Sequence, residues 1–241
     1  MNDQTWTPYC GPAPDPSAWL GRWNLDPVLL LVMGMAFLWL WRGPARDGRG
    51  ALSLAFAVLA ISFISPLCAL SSALFTARTL HHLLLILAAA PLLALALPMA
   101  RTSRLPAAAA FHVVVFWIWH APGAYAFALS SDPAYWAMQA SLLVSGAWFW
   151  AGVRAASAPA AIVGLLAVML GMGLLGALIA FAGQPLYAPH FATTLAWGLT
   201  PLEDQQAAGL IMWAPAAAAY LAAALWRLSR LLSPRAEATA G

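Results

Sequence analysis

The sequence predicts an all-α integral membrane protein, a seven-transmembrane-helix bundle with its N-terminus outside and its C-terminus cytoplasmic. Three observations predict it. Of 241 residues, 63% are hydrophobic and only 8% charged, whereas a soluble domain carries about 25% charged residues. Apolar runs of about 20 residues, the length that crosses a bilayer as helix, use most of the chain. The arginines are distributed unevenly between alternate loops, as the retention of basic residues on the cytoplasmic side requires.

Runs bounded by Arg, Pro, Gly or Asp give spans near 27–41, 51–70, 80–98, 106–128, 133–153, 159–183 and 206–226. Span 1 is short and opens at Asp26-Pro27, a helix start in which the missing proline N–H costs nothing. Pro66, Pro91 and Pro215 fall inside spans 2, 3 and 7, where each removes a backbone hydrogen bond and favours a kink. Span 6 carries small residues four apart, Ala167 with Gly171 and Gly173 with Ala177. That spacing lets helix backbones approach closely in lipid and places span 6 centrally. The domains are then an extracytoplasmic segment 1–26, the bundle 27–232 and a short cytoplasmic tail 233–241.

All 11 basic residues are arginine. Arg42, Arg46, Arg49, Arg101, Arg104, Arg154, Arg227, Arg230 and Arg235 fall in one set of loops; only Arg22 and Arg78 fall in the other. The first set marks the cytoplasm. With the arginines scattered in this way, a pI near 9.2 gives no case for nucleic acid. Six acidic residues, Asp3, Asp15, Asp26, Asp132, Glu203 and Asp204, gather outside. The N-terminal MNDQTWTPYC lacks the basic start and apolar core of a cleavable signal. Trp and Tyr at the ends of spans read as headgroup anchors.

Ionisable groups inside a bilayer are costly and face the protein interior, so the five histidines matter most. Span 3 runs inward from His81-His82 and span 4 outward to His120. Both His82 and His120 lie about 21–22 Å above the loop that joins the two spans, at matching depth near the outer face. His81 is turned about 100° from His82, so one of the two is expected at the interface. His112, eight residues deeper than His120, reads as a polar contact to a neighbouring helix. His190 and Glu203-Asp204 add polar groups to the last outer loop, and Met212 lies two turns below Asp204. Imidazole with a thioether suits Cu(I). Cys10 and Cys68 also lie on the outer side, where two readings stand: a disulfide, or thiolate ligands for copper.

The strings TLHHLLLILAAAPLLALALP (79–98), FWIWHAPGAYAFAL (116–129) and DQQAAGLIMW (204–213) resemble the polytopic CtaG-type cytochrome c oxidase assembly factors associated with caa3-type oxidases. The resemblance covers roughly residues 60–220. It is most specific at Trp117, Trp119, His120 and Pro122, and at Asp204, Gln205, Gly209 and Trp213. It implies a bacterial inner-membrane protein, not an enzyme, that supports copper insertion into subunit I of a haem-copper oxidase. A periplasmic copper chaperone is the implied donor, and the lipid bilayer is the surrounding partner. Many members carry two histidines four residues apart in span 3; here the second is His82 and the first position is Arg78. Resemblance and physics together give His82, His120, Asp204 and Met212 as candidate ligands of a transiently held copper ion. Two competing readings are a haem-binding electron carrier, with His82 and His120 as axial ligands, and a metal-free scaffold for oxidase subunits.

Overall fold

The computed structural model describes residues 6, 8–98 and 104–232, and these are helical with no strand among them. Asp3, Arg101, Arg235 and the tail 233–241 lie outside the described residues. Helix α1 (Pro27–Arg42) starts where Pro27 predicts: the Asp26 side chain accepts from the Val28 and Leu29 amides. Tyr9 donates to the other Asp26 oxygen at 2.6 Å, tying the N-terminal segment to this helix. That bond holds the Asp26 carboxyl below the usual carboxylate range. Burial, and then the same bond, push the Tyr9 hydroxyl above its ordinary value.

Pro66 separates α2 (Arg49–Phe63) from α3 (Leu67–Ala73), and the two are bent by 43°. The bend brings Cys68 to Cys10, and the two form a disulfide with Cα atoms 5.3 Å apart. Of the two cysteine readings the structure has the disulfide, which leaves neither sulfur as a thiolate ligand. It links residues 58 apart, a closure that restricts the unfolded chain by about 4 kcal/mol on a chain-entropy basis.

The third apolar run begins earlier than residue 80, with α4 (Phe75–Leu84), a π-turn (Leu85–Ala89) and α5 (Ala90–Ala96) forming one 22-residue helix. Pro91 accounts for the turn between them. In the wider register residue 91 should donate to the carbonyl of Ile86, but proline has no N–H. The Trp150 indole N–H donates to that carbonyl instead, at 2.8 Å.

The fourth run is sharply broken. Helix α6 (Leu105–His120) and α7 (Pro122–Leu129) meet at 72°, because Ala121 is extended ahead of Pro122, as a residue before proline prefers. Helices α8 (Asp132–Ala155), α9 (Ala158–Ala180), α10 (Pro201–Trp213) and α11 (Pro215–Leu232) complete the chain. Among the described residues, three helical stretches are long and apolar enough to cross a membrane: 75–96, 158–180 and 201–232. Counting each bent pair as one span makes five.

Helix α9 is central, packing along both α10 and α11. Its closest approach is at Gly176 and Gly209 rather than at the small-residue pairs expected from spacing. A Cβ on Gly209 would stand 2.5 Å from the Ala180 nitrogen, and one on Gly176 would stand 2.8 Å from the Trp213 nitrogen. Gly171 serves another contact, its carbonyl accepting from the Trp117 indole at 2.9 Å. Two arginines of the loops read as cytoplasmic close helix ends: Arg154 donates to the Ala94 carbonyl and Arg227 to that of Val153. A cation at a helix C-terminus meets both the free carbonyls and the negative end of the dipole.

Candidate functional site

The site is built on the N-terminal half of α4, which is positioned from 129 residues away in sequence. The Asp204 carboxylate, near the start of α10, accepts from the Phe75 amide at 2.6 Å and the Thr76 amide at 3.1 Å. The Thr76 hydroxyl returns a bond to the Asp204 carbonyl at 2.8 Å. Asp204 thus caps a helix other than its own, and its negative charge meets the positive end of the α4 dipole. Helix α10 has a separate cap, the reciprocal Thr200 and Glu203 capping box. With its start fixed, α4 carries Arg78, His81 and His82 down into the bundle, and all three are fully buried.

His82 meets the last residue of α6. Its Nδ1 lies 3.5 Å from His120 Nε2, with the rings nearly perpendicular at 84°. His120 is oriented by its other nitrogen, which lies 2.7 Å from the Phe116 carbonyl. That bond requires Nδ1–H, leaving a lone pair on Nε2 facing His82. The separation is long for a hydrogen bond. Two imidazole nitrogens each about 2.0–2.1 Å from a shared metal ion would stand roughly 3.3 to 4.1 Å apart, so the pair fits that use with little movement. His82 Nε2 has no hydrogen bond.

Around the pair lies an aromatic wall. Phe75 stacks on Tyr187 with centroids 3.7 Å apart, and Tyr187 donates to the His120 carbonyl at 2.8 Å. Tyr125 and His190 Nε2 are 2.6 Å apart. His190, in the loop before α10, is pushed down to about 3 by burial and then by the charge of Arg78. Gln205 secures the same loop: its carbonyl oxygen accepts from the Leu186 amide at 2.6 Å.

Arg78 is the feature that sequence reading placed wrongly. It was expected in an outer loop; it is inside α4, because Asp204 starts that helix at residue 75. Its guanidinium sits 5.2 Å from the centre of the Tyr135 ring, and none of its three side-chain nitrogens makes a hydrogen bond. The expectation that His81 or His82 is interfacial is likewise corrected. Both are buried, and His81 packs edge-on against Phe63 with both ring nitrogens unbonded. A lone arginine in the apolar stretch 67–98 was the available signal for Arg78. Nothing local marked Phe75, Tyr125 or Tyr187.

The structure therefore joins His82 to His120. Asp204 is engaged at the α4 start, and Met212 is buried about 12 Å further along α10. Among the described residues, no three His, Cys, Asp or Glu side chains gather as a metal site. His112 makes the expected interhelical contact, its Nδ1 lying 2.9 Å from the Ser145 hydroxyl.

A family model, cytochrome c oxidase caa3 assembly factor (Caa3_CtaG), matches residues 100–233, more than half of the chain. The chain belongs to this family. No curated protein and no solved structure matches it. The matched part of this assembly factor contains His120, His190, Asp204 and Met212, whereas Arg78, His82 and the disulfide precede it.

Proposed function

We propose that this assembly factor supports copper insertion into subunit I, the catalytic subunit of a haem-copper oxidase, by holding the ion transiently between His82 and His120. The observation that carries the reading is the 3.5 Å separation of two buried imidazole nitrogens whose approach makes no good hydrogen bond. Asp204 serves by setting the height of α4, and so the depth of His82, rather than by ligation. Met212 is the soft donor nearest in sequence to that cap.

The chain crosses the bacterial inner membrane seven times, with the N-terminus and the histidine pair on the outer side, where a periplasmic copper chaperone would deliver. This topology counts the 16-residue α1 and the 24-residue α8 as crossings beside the five supported by length and composition. Nine of the 11 arginines support the orientation. The role is non-catalytic: the ion is cargo.

The haem-carrier reading has no observation in its favour, since the two rings meet edge-on at 84° with centroids 5.3 Å apart and facing nitrogens at 3.5 Å, too close to admit a macrocycle between them. Purified protein should contain copper and show no Soret band. The variants H82A and H120A should each lose the copper and impair oxidase maturation in cells. Unchanged copper content and unchanged maturation in both variants would falsify the reading, and subunit I co-purifying equally with both would favour a scaffold.

A further inference from the structure

Arg78 stands one helical turn before His82 on α4, so the two side chains share a face, with Cβ atoms about 5–6 Å apart. It is fully buried and, among the described residues, forms no ion pair; its guanidinium lies against the Tyr135 ring, and the Tyr125 and Tyr135 hydroxyls are close by without hydrogen-bonding it. A guanidinium does not deprotonate in a protein, so the charge is permanent. Beside it, the histidine pair offers two neutral nitrogens, and the cysteines are closed in a disulfide. The Asp204 carboxylate, the one acidic side chain buried in this region, is occupied by two backbone amides.

We infer that Arg78 makes the His82–His120 pair selective for a monovalent soft metal ion and excludes divalent ones. This rests on the copper reading above and adds the charge state of the cargo. Two arguments converge. Zn2+ asks for four ligands and Cu2+ for a square-planar set, whereas two neutral imidazoles supply two donors and no negative charge. A fixed positive charge on the turn before His82 repels a dication twice as strongly as a monocation. Over roughly 6–10 Å at an effective dielectric near 20, that difference amounts to about 10- to 100-fold in relative affinity.

The test uses the full-length protein purified in detergent, with Ag+ as a redox-inert monovalent probe and Zn2+ as the divalent one. Wild type is expected to bind Ag+ in a manner abolished by H82A, and to bind Zn2+ far more weakly. In R78M and R78Q both affinities should rise, with the Zn2+ to Ag+ affinity ratio increasing about 10- to 100-fold. R78K, which keeps the charge, should leave the ratio near that of wild type. If both ions bind wild type and the ratio is the same in R78M, R78Q and R78K, the selectivity is overturned while the copper reading stands. If wild type binds no Ag+, or binds it without regard to H82A, both fall together.

Discussion

At one end of the bundle, Arg154 and Arg227 each donate to a carbonyl at the end of a neighbouring helix, those of Ala94 and Val153. At the other end, Arg78 is buried with none of its three side-chain nitrogens in a hydrogen bond. The histidines differ less sharply: His112 meets the Ser145 hydroxyl at 2.9 Å through Nδ1 and leaves Nε2 unbonded, whereas His81 makes no hydrogen bond and His82 only the long contact to His120. Arg154 and Arg227 complete the helix ends they meet. The Arg78 guanidinium, both nitrogens of His81 and the Nε2 of His82 are buried without a hydrogen bond, which costs stability unless a ligand or function uses them.

The largest expected effect tests this contrast directly. R154M leaves the Ala94 carbonyl without its cationic donor and should lower stability by about 2 kcal/mol. R78M should act in the opposite direction. It removes a buried, unpaired charge that costs roughly 3 kcal/mol, less about 1 kcal/mol for the interaction with the Tyr135 ring, and so should stabilise by about 2 kcal/mol. Thermal unfolding of the two variants in the same detergent measures both changes. A destabilised R78M would mean that Arg78 is as structural as Arg154, and the contrast between the ends would fail.

The parts of the molecule that were legible in the sequence are those fixed by local chemistry. Apolar runs gave the helices because the bilayer admits little else, Asp26-Pro27 marked the start of α1, and Pro66 marked a bend. Counting residues from the loop near Pro98 and Pro106 placed His82 and His120 at one depth. What escaped depends on distant groups. Span 3 was expected from residue 80 because Arg78 reads as a loop boundary; the carboxylate that caps the helix lies at residue 204. Arg78 was misplaced for the same reason. The 72° break at Ala121 was hidden inside a single apolar run, although Pro122 was visible there. The close contact of Gly176 with Gly209 joins two helices whose pairing no single-helix pattern reveals.

A second test of the comparison is acidification around His190, in the loop before α10. Burial and Arg78 together push His190 down to about 3, below the ordinary value near 6.5. Between those values the unfolded chain binds the proton and the folded one does not. Stability from this group is therefore full above about pH 6.5 and falls as pH drops, at up to about 1.4 kcal/mol per unit until about pH 3. H190Q, which retains a polar side chain opposite Tyr125, should show a shallower acid limb in unfolding measured from pH 7 to 4. R78M should shallow it as well, because the repelling charge is gone. An H190Q limb as steep as that of wild type would show that other groups govern acid sensitivity.

The smallest effect examines the Arg154 end through the turn at Pro91. W150F keeps an aromatic ring and removes the indole N–H that serves the Ile86 carbonyl, so it should cost about 1 kcal/mol. If that carbonyl is vacant only because Pro91 has no N–H, then P91A supplies a backbone donor and the indole becomes dispensable. The penalty of W150F should then shrink toward zero in the P91A background. A double-mutant cycle by thermal unfolding measures the coupling. Additive penalties would show that Trp150 contributes by packing alone and that the Ile86 carbonyl gains nothing from its indole.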